Sequence, residues 1–136
     1  MGKFGDKDYY VVRYNADAAD AVDRCIWTCP ADQSYRLSAI SEVHSTVGGA
    51  SAAVRPRKVT GTSAPGAAAG ATVIEQSAAI DLTATVNTVV RPSLTGTEAQ
   101  RTFLPGDRLC LDFSGTVSGL VGMNLEFSFE PVGRYL

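Results

Sequence analysis

Two segments near the end of the chain alternate apolar and polar residues without a break. In Arg108 to Gly115, Leu109, Leu111 and Phe113 point one way and Arg108, Cys110, Asp112 and Ser114 the other. In Met123 to Glu130, Met123, Leu125, Phe127 and Phe129 oppose Asn124, Glu126, Ser128 and Glu130. A period of two describes a strand with one wet and one dry face. The turn Leu104-Pro105-Gly106-Asp107 launches the first run, and the glycines between the runs suit a hairpin.

Upstream, Ser34 to Ser45 alternates over its whole length, with Tyr35, Leu37, Ala39 and Val43 on one face. Arg36, Ser38, Glu42 and His44 share the other face, and Ile40 interrupts it, which hints at a bulge or a covered surface. Arg24 to Thr28 reads as a strand stopped by Pro30, and Ala50 to Val59 as an extended run that Pro56 pushes towards an edge or an irregular position. Gly61 to Gly70 is built from small residues and is expected to be an exposed, mobile loop. Val73 and its neighbours (72–75) suggest a short strand, and Ile80 to Val90 favours strand through its β-branched residues. Tyr9 to Tyr14 is a short aromatic run that suits either a first strand or an arm docking on a neighbour. The expected fold is all-β, a jelly-roll-like sandwich or barrel of about eight short strands with an extended N-terminal arm. The expected division is an arm and connection over residues 1–22 and a single β-domain over 23–136.

Composition narrows the function. A chain of 136 residues with 45% hydrophobic content can own a core. Twelve basic against fourteen acidic residues, net charge −2, argues against a dedicated nucleic-acid binder. No apolar run approaches the roughly 20 residues of a membrane helix, and no apolar stretch follows the N-terminus as in a signal peptide. Cys25 and Cys29 on one strand would sit about 13 Å apart, too far for a disulfide. With an odd set of three cysteines, reduced thiols and a cytosolic origin are expected.

Candidate chemistry is sparse. His44 is the single histidine, and its alternation puts it on the polar face beside Glu42, as an ordinary surface residue. A jelly-roll metalloenzyme of the cupin type needs several histidines, so that reading is rejected, and a zinc site from Cys25, Cys29 and His44 lacks the usual spacing. Asp17, Asp20 and Asp23 read as a solvated connection rather than a metal site. There is no phosphate-binding glycine motif. No catalytic, metal or cofactor-binding residue is expected. Arg55, Arg57 and Lys58 form the densest basic cluster, most simply a solvated strand face, or a contact for an acidic protein surface. Arginine outnumbers lysine nine to three, which suits fixed contacts at an interface.

The order of several pieces resembles the head-decoration, or cement, proteins of tailed bacteriophages. The pieces are Tyr35-Arg36-Leu37 with Glu42-Val43-His44-Ser45, Val59-Thr60-Gly61-Thr62 before the small-residue loop, Ile80 to Val89, and Leu104 to Gly115. The resemblance spans about residues 24 to 132. It implies a non-enzymatic jelly-roll-like domain that needs no cofactor and sits as a homotrimer on the outer surface of the capsid, bridging major capsid subunits. It also implies synthesis in the host cytoplasm and a place on the virion, with no direct contact to nucleic acid or membrane. The expected contact residues are Phe4, Tyr9, Tyr10, Val12, Arg13, Tyr14, Arg55, Arg57 and Lys58. The alternative is another virion β-module, a fibre or spike base, with glycan binding as an option.

Overall fold

A computed structural model describes residues 10–133. Nine strands form two antiparallel sheets: β1 (Tyr10–Ala16), β2 (Arg24–Thr28), β3 (Ser34–Val43), β4 (Ala53–Val59), β5 (Val73–Glu75), β6 (Ile80–Asp81), β7 (Thr102–Phe103), β8 (Arg108–Ser114) and β9 (Met123–Val132). One turn of helix, α1 (Glu98–Arg101), precedes β7. The first sheet has the order β1-β9-β3-β7 and the second β2-β8-β4-β5, with β6 also on β4. Successive strands mostly switch sheets, so non-consecutive strands pair in each. This is the jelly-roll arrangement, and the all-β sandwich expected from the alternation is present.

The two strongest alternating runs pair differently from expectation. β8 and β9 are not hairpin partners; they belong to opposite sheets. Their apolar faces meet across the sandwich, where Leu109, Leu111, Met123, Leu125, Phe127 and Phe129 are buried. Alternation fixes which side of a strand is dry but not which strand lies beside it. The connection leaves β8 through Gly115, whose φ of 73° favours glycine. A β-carbon there would run into the Ser51 carbonyl.

Tyr10–Ala16 pairs with β9 along its full length. The division at residue 22 is therefore corrected: the sandwich begins no later than Tyr10, because Val12 and Ala16 enter the core. Phe4 and Tyr9 lie outside the described residues.

Pro56 stands in an interior strand rather than at an edge, and takes the other placement expected for it, an irregular position in the sheet. β4 has β8 on one side and β5 with β6 on the other. The groups turned towards β5 and β6 are those of even-numbered residues: the Ala52 carbonyl accepts from Leu82 N, the Pro56 carbonyl from Gln76 N, and Thr60 N donates to Thr72. The N–H that proline lacks falls on that side, where the partner strand is interrupted between Glu75 and Ile80. The missing donor and the broken strand coincide. Only Ile80 and Asp81 of the β-branched run form a strand; residues 82–90 are a loop in which Leu82 is buried.

Candidate functional site

The bulge hinted at by Ile40 is present and decides where the single histidine goes. In the β3–β9 register Leu37 faces Phe129 but Ala39 faces Ser128, leaving Ser38 as the extra residue. One extra residue exchanges the two faces of everything beyond it. Ile40, Glu42 and His44 therefore turn inward with Phe127 and Leu125, while Ala39, Ser41 and Val43 turn outward. The surface position expected for His44 is overturned: both its side chain and that of Glu42 are fully shielded from solvent.

His44 Nδ1 lies 2.8 Å from Glu42 Oε2, and Nε2 lies 2.8 Å from the Ala84 carbonyl oxygen. The other carboxylate oxygen of Glu42 is buried without a hydrogen-bond partner. Burial raises the Glu42 carboxyl above its ordinary range, and the bond from His44 pulls it back part of the way. The backbone reinforces the contact. Glu42 exchanges two bonds with Val90, and Asn87 N donates to the His44 carbonyl. Beside the pair, Asp81 is the one ionisable group lining a shallow cleft of about 590 Å³ between residues 48–53 and 79–83. That leaves no acid–base partner within the cleft itself.

The basic cluster is split. Consecutive strand residues face opposite ways, so Arg55 and Arg57 point out from the second sheet and Lys58 points in. The solvated face expected for them is corrected, since Arg57 and Lys58 are buried. Arg57 forms ion pairs with Asp112 at 3.0 Å and Glu75 at 3.3 Å and donates to the carbonyls of Pro65 and Ala67. Arg55 meets Glu75 at 3.7 Å. Burial raises Asp112, and the Arg57 charge opposes it. Lys58 donates to the carbonyls of Ala99 and Thr102, sits 5.9 Å from the centre of the Phe103 ring, and has its ammonium pushed down by burial. Arg57 and Lys58 thus tie loop and helix carbonyls to β4, while Arg57 Nε is buried without a hydrogen-bond partner.

The small-residue loop is likewise held. Its Ala67 packs on Val59, Val73 and Cys110, and Arg108 donates to the carbonyls of Gly61 and Ser63. Most of its residues are exposed as expected, but the loop roofs the outer face of the second sheet.

The thiol expectation is also corrected. Cys25 faces Cys110 across β2 and β8, and the two form a disulfide. Strand spacing along one segment ruled out the wrong pair, while the true partner lay across the sheet. Cys29 remains a buried thiol whose single S–H has the Gln33 and Phe103 carbonyls as acceptors within reach, and burial raises its pKa.

Of the aromatic and arm residues expected at a contact, Val12 is in the core, Tyr14 donates to the Asp20 carbonyl beneath the Arg24 guanidinium, and Tyr10 stacks against Trp27 and Tyr35 while staying 39% exposed. Arg13 alone of this strand's expected contacts points outward, paired with Glu126 at 2.7 Å. Asp17 and Asp23 accept from the amides of Gly122 and Phe113, so they clip the ends of the β8–β9 connection. Among the described residues no group of three or more His, Cys, Asp or Glu side chains is placed to hold a metal ion, and no helix is long and apolar enough to cross a membrane.

No family model matches the chain, and no curated protein matches it. Among solved structures, one described under "Bacillus endospore appendages form a novel family of disulfide-linked pili" aligns over 98% of this chain and 96% of its own at 15% identity and a TM-score of 0.37. A score that low does not establish a common fold.

Proposed function

We propose that the protein is a structural adhesion module, and specifically a capsid decoration protein that binds the outside of a phage head as a trimer and bridges major capsid subunits. The observation that supports this reading is the outer face of the first sheet. Across β1, β9 and β3 it presents Val11, Arg13, Asn15, Asn124, Glu126, Ser128, Ala39 and Ser41 on one side of three paired strands. Such a face is rigid, broad and polar, with paired charges at Arg13–Glu126 and Arg36–Glu130. It suits a large complementary surface more than a small ligand. Three modest contacts on a rigid trimer would add through avidity. The sequence resemblance to cement proteins supplies the partner.

The experiment mixes the protein with undecorated heads and counts bound copies by cryo-electron microscopy. Hundreds of ordered copies at three-fold positions are expected. A handful of copies at the tail would favour the fibre or spike-base reading. The Tyr10–Trp27–Tyr35 aromatic group, with Tyr10 in reach of solvent, is the observation that keeps glycan binding in view for that second reading. Deleting residues 1–9, which leaves β1 intact, should weaken head binding; unaltered binding would remove the segment before β1 from the contact.

A further inference from the structure

The buried Glu42–His44 pair has no part in an adhesive outer face, yet it is an expensive thing to keep in a core. Its bonding is fully specified by what surrounds it. The Ala84 carbonyl can only accept, so His44 Nε2 must carry a hydrogen. The 2.8 Å contact between Nδ1 and Glu42 Oε2 then needs a second proton, whichever atom holds it. With that proton the pair is neutral overall. Without it, a carboxylate and an imidazole lone pair face each other in a dry site.

The pair also fastens one loop. His44 Nε2 reaches Ala84, Asn87 N reaches the His44 carbonyl, and Val90 pairs with Glu42. Thr85 and Asn87 within this loop adopt positive φ, 55° each, which non-glycine residues take up only where their surroundings hold them. Val86 and Val89 stay exposed on it.

We infer that one proton shared by Glu42 and His44 is a latch for the 82–90 loop, and that raising the pH releases the loop. The protein thereby carries a pH-sensitive conformational device at one end of the sandwich, independent of what the outer face binds.

The sign follows from counting protons. In water an imidazole gives up its second proton near pH 6.5 and a glutamate near 4.3. Between those values an opened pair holds the same number of protons as the closed one, and opening is pH-neutral. Above about 6.5 the opened pair loses the shared proton and the closed pair keeps it. The raised Glu42 carboxyl has the same sense: a group that binds its proton more tightly in the closed form stabilises that form less as pH rises through its folded value. The charged surroundings agree. Asp81, on β6, raises the Glu42 carboxyl further and so favours retaining the proton. On β9 the residue opposite Glu42 is the uncharged Leu125, and Glu126 points outward to Arg13. Arg91, just past the loop, is exposed.

The test is amide hydrogen exchange of Asn87 and Val90 in the untagged full chain from pH 5.5 to 8.5, corrected for intrinsic rates. Protection should be level to about pH 6.5 and then fall about tenfold per unit. In Glu42→Gln the amide can donate to Nδ1 while Nε2 still serves Ala84, so protection should be level above about pH 6.5 and fall below it, where only the opened imidazole takes up a proton, the reverse of the wild-type slope. Level wild-type protection across the range, or the same slope in the variant, would overturn the latch. If the variant does not fold, the single histidine gives an unambiguous wild-type reading by NMR. A neutral imidazole beside an ionised Glu42 carboxylate, with both amides still protected, also overturns it; a proton on either partner in the closed loop supports it.

Discussion

The two sheets of this sandwich share a core and differ on their backs. The first sheet meets water across β1, β9 and β3 with a polar face whose charges pair across strands. The second is roofed by residues 61–72, so that Arg57, Val59 and Cys110 are as dry as core residues. On the first back an ion pair is solvated and adds little; on the second it is shielded, and its loss strands the partner charges. Surface complementarity to another particle is thus available on one side, and internal cohesion is concentrated on the other.

Substitutions should separate the two faces by size of effect. Arg57→Ala leaves Asp112 and two loop carbonyls without their donor under the roof and removes one of the two arginines that pair with Glu75. It is expected to cost about 3–5 kcal/mol in urea unfolding, with the 61–70 loop becoming cleavable by protease. A cost below about 1 kcal/mol would mean the roof is not what shields this side. Removing the Cys25–Cys110 disulfide, as Cys25→Ala with Cys110→Ala, should lower stability by about 2–4 kcal/mol, since the bond closes a chain segment spanning 85 positions. Reductant should lower the melting temperature of the wild type and leave that of the double variant unchanged. Lys58→Met keeps the stem but frees the Ala99 and Thr102 carbonyls. About 1–3 kcal/mol is expected, with exchange at α1 accelerating before that of β8. On the open back, Arg13→Ala should change stability by no more than about 1 kcal/mol. The same substitution should reduce binding to heads if the open face is the contact, and equal binding would break that assignment.

The same contrast explains what could be read from the amino acids. β9 alternates cleanly because its back is wet, and Leu125, Phe127 and Phe129 were placed correctly. On β8, Leu109 and Leu111 were equally plain, but Cys110 reads as outward and polar-side while the roof makes that side dry. Nothing local to Cys110 marks the cover, which arrives from a loop of alanines and glycines some 40 residues away in the chain. The Cys25–Cys110 pairing is invisible for the same reason, since register between β2 and β8 is set by tertiary packing. Pro56 was informative about a missing bond, but its position could not say that the neighbouring strand, rather than its own, would break. His44 was recoverable: Ile40 on the polar face already signalled a change of phase, and following it through would have buried Glu42 and His44 as well. The contact residues on Tyr10 to Tyr14 divide by parity in β1, which a strand assignment alone would have supplied.

The extra residue at Ser38 works as a parity bit. Substitutions along β3 alter what each face carries, but the bulge that absorbs Ser38 decides which face it is. Deleting Ser38 would remove the bulge and leave plain alternation from Leu37 through Ala39 to Ile40, so the Glu42–His44 pair would keep its inward face. A β3 one residue shorter at that point is therefore expected to carry the same inward and outward sets, and the bulge matters only because the extra letter is there to be absorbed.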